Sequence, residues 1–328
     1  MKAYVATAYG PPEVLQLREV PRPTPGPNGV RIRVQATTVT AGDWRVRSLE
    51  VPAGFGLLVR LLFGFTKPRQ PILGSEAVGV VDAVGAHVTR FVEGDPVIAY
   101  ADTRLGTHAE YVILPEDGPI VHRPDGLSLQ EAAAFSFGGT TALHFFDEGG
   151  LRAGHRVLVN GASGAVGTAA VQLAVQAGAH VTGVCSTANL DLVRSLGAHE
   201  VVDYTTTDVV PTDVSYDLIL DAAGTLPYPR ARPLLAPAGR LLVVNGSALA
   251  MLRGPWVALT SRHRLVTGTA LGSITALRTL VEYAEAGAYR PVIDRCYPFE
   301  EMVEAHRYVD QGHKRGNVVV WVEAEAEA

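Results

Sequence analysis

The chain has 328 residues, 47% hydrophobic and 19% charged, with a formal net charge of −5. That length suits about two domains, the apolar content excludes general disorder, and the mild negative charge gives no reason to expect nucleic acid as a partner. Two cysteines, Cys185 and Cys296, exclude a disulfide framework and any multi-cysteine zinc site; they fit a reducing compartment, so a cytoplasmic location is expected.

Residues 1–7 read as a first strand rather than a charged and then apolar leader, so no secretory signal is expected there. Residues 21–27 are a stiff, proline-rich extended connection. Residues 30–34 (Val-Arg-Ile-Arg-Val) alternate as a half-buried strand does. The most apolar run, 54–65, is interrupted by Arg60 and is too short to span a bilayer. It reads as a core or lid helix whose Leu61 and Leu62 line a pocket, and no membrane partner is expected. Further strands fall at 77–81 and 96–100, with Gly94-Asp95-Pro96 as the turn signal between them. No helix–strand alternation precedes about residue 127. Ser128 is then a candidate N-cap with Glu131 as its capping-box partner.

From there strands and helices alternate. Strands are predicted at 157–160, 180–185, 201–203, 218–221 and 240–244, with helices at 168–177 and 188–196, the latter ended by Gly197. This pattern predicts an α/β chain with a Rossmann-like, doubly wound parallel sheet. The apolar run 316–322 lies beyond it and is predicted to return to the N-terminal β-rich domain. That domain is then discontinuous, 1–122 with 289–328, around a nucleotide domain at 123–288. The acidic, low-complexity end, 323–328, is given no function.

The strand at 157–160 runs into Gly161 and then Ala162-Ser163-Gly164-Ala165-Val166-Gly167. Ala162 takes the first position of a G-x-G-x-x-G fingerprint, with Gly161 beside it sharing the turn. Gly164 lets a pyrophosphate approach, and Gly167 lets the helix pack closely. Free N–H groups and the helix dipole face the anion. At the end of the next strand, Val184-Cys185-Ser186-Thr187 carries no carboxylate. Ser186 and Thr187 suit a 2′-phosphate, Tyr204 can reach that phosphate or the adenine, and Arg194 is a more distant candidate. NADP(H) is therefore the expected cofactor. Cys185 reads as a small buried hydrophobe.

Gly74-Ser-Glu-Ala-Val-Gly-Val-Val81, Phe91-x-x-Gly94-Asp95-x-Val97, Gly139-Thr-Thr-Ala142, Asp217-Leu-Ile-Leu-Asp-Ala-Ala-Gly224 and Ala305-His-Arg-Tyr308 together resemble the medium-chain dehydrogenase/reductase superfamily, over nearly the whole chain. The resemblance implies a GroES-like catalytic domain beside the Rossmann-like one. Zinc alcohol dehydrogenases hold their metal through a Cys, a His and another Cys or a carboxylate. Here Thr40 and Ser75 stand at the first two positions, and hydroxyls are poor zinc ligands. No metal is expected, and Glu76 is read as structural. The zinc-free branch, similar to quinone oxidoreductases and enoyl reductases, remains, though many of its members carry Asn where this chain has Thr40.

Without a Lewis acid an ordinary ketone is a hard acceptor, whereas an enone, enoyl thioester or quinone spreads the incoming charge itself. The expected activity is NADPH-dependent reduction of a small apolar or conjugated electrophile. Candidate pocket residues are Thr40 as donor to the substrate oxygen, Trp44 for stacking or packing, and Tyr100 at a strand end; Asp43 suits a turn or cap. For the cofactor the resemblance implies Thr141 at a helix start, Asn245, Gly246, Thr269, Ala270 and Leu271 near the nicotinamide, and Ala223 and Gly224 beside the adenosine. It also implies a homodimer through an edge strand near residues 265–271. Two alternatives stand beside this reading: a metal-free carbonyl reductase or alcohol dehydrogenase, and a nucleotide-binding protein without catalysis.

Overall fold

The computed structural model describes the chain except residues 51–55, 57–59, 62–63, 208–213, 245, 247–253, 255–256, 258 and 324–328. Most of the apolar run 54–65, with Leu62, therefore lies outside the described residues, as do Asn245 and most of the acidic end. Two compact units form, one over Met1–Val51, Gly56–Phe137 and Leu271–Ala328, the other over Gly138–Ala270.

The first unit opens with β1 (Lys2–Ala6), β2 (Leu15–Glu19) and β3 (Gly29–Val39). Helix α1 (Ala41–Ser48) follows, then β4 (Glu76–Val84), β5 (Pro96–Tyr100), β6 (Tyr111–Pro115) and β7 (Ile120–His122). Val30, Ile32 and Val34 face the core, as their alternation requires. From Ala36 to Val39 every residue is buried. That is where a late strand of the chain pairs with β3.

Helix α1 lies within an N-terminal domain that reads as β-rich, and no helix is predicted at its position. Eight residues are too few for a hydrophobic period to declare itself. The one local signal is the capping box of Thr40 and Asp43, which the structure contains in full. Ser128 and Glu131 form the same box at α2 (Leu129–Ala133).

Helix α3 (Ser136–Gly149) leads into the second unit. There β8 (Arg156–Asn160), α4 (Ala165–Gln176), β9 (His180–Cys185), α5 (Leu190–Ser195), β10 (Glu200–Asp203), β11 (Tyr216–Asp221), α6 (Tyr228–Ala231), β12 (Leu235–Val243) and β13 (Arg264–Thr267) follow in order. The sheet order is β10-β9-β8-β11-β12-β13, and every described pairing is parallel. Strand order reverses between β8 and β11. A doubly wound sheet opens a crevice for ligands at that point, outside the carboxyl ends of the strands. Strand β13 is the edge nearest the segment expected to dimerise.

The chain then returns to the first unit with α7 (Ile274–Glu285), β14 (Ile293–Pro298), α8 (Met302–Asp310) and β15 (Asn317–Trp321). Strand β15 pairs antiparallel with β3, Val319 opposite Thr38, so the run 316–322 does complete the N-terminal sheet. Residues 123–137 and 271–288 group with this first unit, not with the nucleotide unit in which they were expected. Helix α2 packs on β3 and β4, and α7 packs on β7.

Candidate active site

In the second unit the turn after β8 is made by Gly161, at φ +80. A Cβ there would stand 3.0 Å from Ala223 Cβ, so the turn and the loop after β11 face each other. Gly161 thus supplies the turn directly before Ala162, the first position of the fingerprint. Ala162 is fully buried, and a Cβ on Gly183 of β9 would meet its methyl at 3.2 Å. Gly164 is the N-cap of α4 and has no side-chain cap. A Cβ at Gly164 would find only Gly161 O, at 3.7 Å, whereas one at Gly167 would lie 2.0 Å from that same oxygen. The turn thus has open space where an anion would come and none where the helix meets the strand. These residues fit a diphosphate.

The flanking loops are held by side chains outside the glycine pattern. Asp221 is buried at the end of β11. It accepts from Asn160 Nδ2 at 2.8 Å, Gly224 N at 2.9 Å and Leu226 N at 3.0 Å, which fixes Ala223 and Gly224 beside the turn. Asn189 donates to Ser163 Oγ at 3.2 Å and Ser186 Oγ at 3.1 Å, tying the glycine loop to the end of β9. Its buried Oδ1 has no partner. Thr187 donates to Asp203 Oδ2 at 2.5 Å. Asp203 ends β10 in register with Cys185, so the neighbouring strand brings a carboxylate to a strand end that has none of its own. Hydrogen bonds from Thr187 and Thr205 hold its carboxyl below the usual carboxylate range.

Tyr204 is exposed and Cys185 buried; burial pushes the thiol up to about 11, which leaves it inert. Arg194 is paired with Asp191 at 2.8 Å. Thr141 lies inside α3, which begins at Ser136, and not at the helix start. Gly246 lies near Thr267. Thr269 and Leu271 are exposed, and Ala270 is half-buried.

In the first unit Thr40 caps α1. Its hydroxyl accepts from Asp43 N at 3.2 Å and donates to Asp43 Oδ2 at 2.6 Å. A hydroxyl has one hydrogen. Thr40 can therefore give a proton to a substrate oxygen only when Asp43 supplies another, a constraint the sequence did not reveal. Ser75 Oγ stands 3.5 Å from Thr40 Oγ1. Trp44 is partly buried and packs on the core around Tyr4, Leu15 and Val39. Tyr100 is buried opposite Glu76 in the strand pairing, its ring against Gly272. Among the described residues no group of three or more His, Cys, Asp or Glu is placed to hold a metal ion.

Glu76 is fully buried. One oxygen accepts from Thr38 Oγ1 at 2.7 Å, the other from Ser136 N at 2.8 Å and Phe137 N at 2.7 Å at the start of α3. It is a structural anchor, as its sequence context suggested. Burial pushes its carboxyl up to about 7, against the pull of the Thr38, Phe137 and Ser136 hydrogen bonds. The folded state therefore keeps a proton that the unfolded chain sheds near pH 4.5. Stability from this group is full below that pH and falls as pH rises through 7, by about 3 kcal/mol. Urea unfolding at pH 5 and pH 8 should record that fall in the wild type, and Glu76→Gln should remove it.

Two family models match the chain, "Alcohol dehydrogenase GroES-like domain" over residues 26–125 and "Zinc-binding dehydrogenase" over residues 196–320. The chloroplastic quinone-oxidoreductase QR1 of Triphysaria versicolor is 32% identical over 321 residues, 92% of each chain. The chain belongs to the medium-chain dehydrogenase/reductase superfamily, in its quinone oxidoreductase-like branch. The mitochondrial NAD(P)H oxidoreductase RTN4IP1 of Mus musculus is 34% identical over 355 residues, 98% of this chain and 89% of that protein. The solved quinone oxidoreductase from Coxiella burnetii superposes with a TM-score of 0.85 at 27% identity, covering 98% of this chain and 99% of that one. As a member of the superfamily the chain is an oxidoreductase with a nicotinamide cofactor.

Within this superfamily member, sequence reasoning missed Asn189, Asp203 and Asp221. All three act on loops through contacts from another strand or turn. Asp203 and Asp221 carried a signal, as the last residues of the strands predicted at 201–203 and 218–221.

Proposed function

We propose that this superfamily member is a zinc-independent, NADP(H)-dependent reductase of conjugated electrophiles: enones, enoyl thioesters or quinones. The observation that carries the reading is the pair of hydroxyls at Thr40 and Ser75, where zinc-dependent relatives need softer ligands, with Thr40 committed to Asp43. Zinc prefers thiolate and imidazole. Relatives that include quinone oxidoreductases support the electrophile class.

The dinucleotide, when bound, supplies hydride. Gly164 would leave room for its diphosphate, while Gly161 makes the turn and Gly167 keeps α4 close to it, with the N–H groups of α4 facing the charge. Asp221 and Asn189 keep the flanking loops in place. The Ser75 hydroxyl and the Thr40–Asp43 pair are offered to the oxygen on which negative charge develops. NADPH oxidation followed with a quinone, an enone and the matching saturated ketone tests this. The conjugated acceptors should be reduced at least about a hundredfold faster, the factor two to three kcal/mol of barrier supplies, and a zinc chelator should change nothing. Turnover of the ketone alone would sink the reading.

One observation favours NAD(H) instead: the ionised Asp203 beside Thr187, which repels a 2′-phosphate and suits a ribose hydroxyl. Affinities for the two cofactors decide. NADP(H) preference requires tighter NADPH binding in the wild type, and Asp203→Asn should strengthen NADPH binding several-fold more than NADH binding. Equal effects on both would remove Asp203 from cofactor choice.

A further inference from the structure

Helices α1 and α8 pack on each other. Asp43 and Arg47 stand one turn apart on α1, and His306 and Asp310 one turn apart on α8, spacings that put each pair on one helix face. Arg47 Nη2 donates to both oxygens of Asp310, at 2.8 and 2.6 Å. Asp310 is a quarter exposed, whereas Asp43, Arg47, His108 and His306 are wholly buried. His108 lies edge-on to His306 with ring centroids 5.3 Å apart. These five residues form a polar seam that starts at the surface and ends at the side chain bonded to Thr40.

The seam's hydrogen bonds are incomplete. Asp43 Oδ1, Arg47 Nε and Nη1, His108 Nδ1 and both ring nitrogens of His306 have no partner. Buried polar atoms in folded proteins are nearly always paired, with protein or with water. The chemistry of the six is complementary. His108 Nε2 lies 3.0 Å from the Thr38 carbonyl, which can only accept, so its proton is on Nε2 and Nδ1 is a bare acceptor. Burial keeps both rings below the ordinary imidazole value and neutral, so His306 has one donor and one acceptor. Arg47 brings donors, and Asp43 Oδ1 brings an acceptor or, protonated, a donor. Donors and acceptors that share a seam yet fall short of one another are the setting in which buried water binds.

We propose that this seam holds a file of water molecules which carries protons from the Asp310 end to Asp43, and that Asp43 passes them through Thr40 to the reduced substrate. The proposal rests on the reductase reading. Hydride delivery brings the electrophile two electrons and one hydrogen, and leaves one substrate oxygen a proton short. The Thr40 O–H bond breaks as its proton goes to that oxygen. Asp43 takes a proton from the nearest water and hands it across the 2.6 Å to Thr40 Oγ1, which re-forms the hydroxyl. The deficit passes along the file to solvent. The sum is one proton taken from water for each hydride added. Asp43, His108 and His306 act through Thr40 as positioning residues.

His306→Phe keeps the ring and removes both nitrogens; His306→Gln restores one donor and one acceptor. Single-turnover reduction of a conjugated acceptor in H₂O and D₂O should show the Phe variant slowed at least about tenfold with a larger solvent isotope effect, and the Gln variant largely rescued, both binding dinucleotide as the wild type does. Water-oxygen relaxation dispersion, which needs neither substrate nor cofactor, should count fewer long-lived waters in the Phe variant. Should that variant not fold, Asp43→Asn, nearly isosteric and without an acid proton, should give the same slowing. An unchanged water count, or an unchanged rate and isotope effect in the folded variant, would overturn the proposal. A wild type that reduces no conjugated acceptor would refute the reductase reading, and the water count would still decide whether the seam is hydrated.

Discussion

Gly167→Ala should lose dinucleotide binding by at least about a hundredfold and melt several degrees below the wild type. The new methyl would stand 2.0 Å from Gly161 O and 2.8 Å from the Ala162 backbone. No rotamer relieves a clash between a methyl and main chain. Either α4 withdraws from β8 or the turn deforms, and overpacking of this kind costs about 1–3 kcal/mol. A shift of either sort moves the N–H groups that would face the diphosphate, so binding falls by more than stability does. Gly164→Ala is the matched control. Its methyl meets nothing nearer than 3.7 Å, so the melting temperature should stay while affinity drops, because the open space is lost. Calorimetric melting and titration with NADPH on both variants separate the two. Wild-type affinity in Gly167→Ala would refute the tight contact, and a destabilised Gly164→Ala would refute the open one.

The same turn marks what could be read from residues and what could not. Strand 180–185 was placed to the residue, and the return of 316–322 to the N-terminal sheet followed from an apolar run with no further place in the nucleotide fold. Periodicity and glycine punctuation carry such information locally. The division of roles between Gly161 and Ala162 was not local. It depends on Gly183 and Ala223, which close on the turn from other strands. Thr40 and Asp43 were both singled out, yet only their geometry reveals that the hydroxyl's single hydrogen is already used. Asp203 reaches the end of β9 through the register of β10 on β9. Helix α1 escaped because eight residues give two turns, too few for a period, although Asp43 read as suiting a turn or cap.

Asp310→Ala should destabilise the protein by about 3 kcal/mol, the lower end of what breaking a buried ion pair costs. Arg47 is wholly buried, and among the described residues its guanidinium hydrogen-bonds one carboxylate, through two hydrogen bonds. Without Asp310 the charge stays in a low-dielectric seam beside two neutral histidines. The one-quarter exposure of Asp310 lets water replace part of the loss, which sets the value at the lower end. Surface pairs behave differently. Asp191, almost fully exposed beside Arg194, should be replaceable by alanine without measurable change, since screening leaves such pairs little to contribute. The decisive comparison is Arg47→Met with and without Asp310→Ala. Removing the cation first should make the loss of Asp310 nearly neutral, because no buried charge is then left unpaired. Urea unfolding of the four chains gives the coupling energy directly. Additive losses would mean that Asp310 supports α8 by itself, and that Arg47 owes its burial to packing of its stem rather than to the carboxylate it holds.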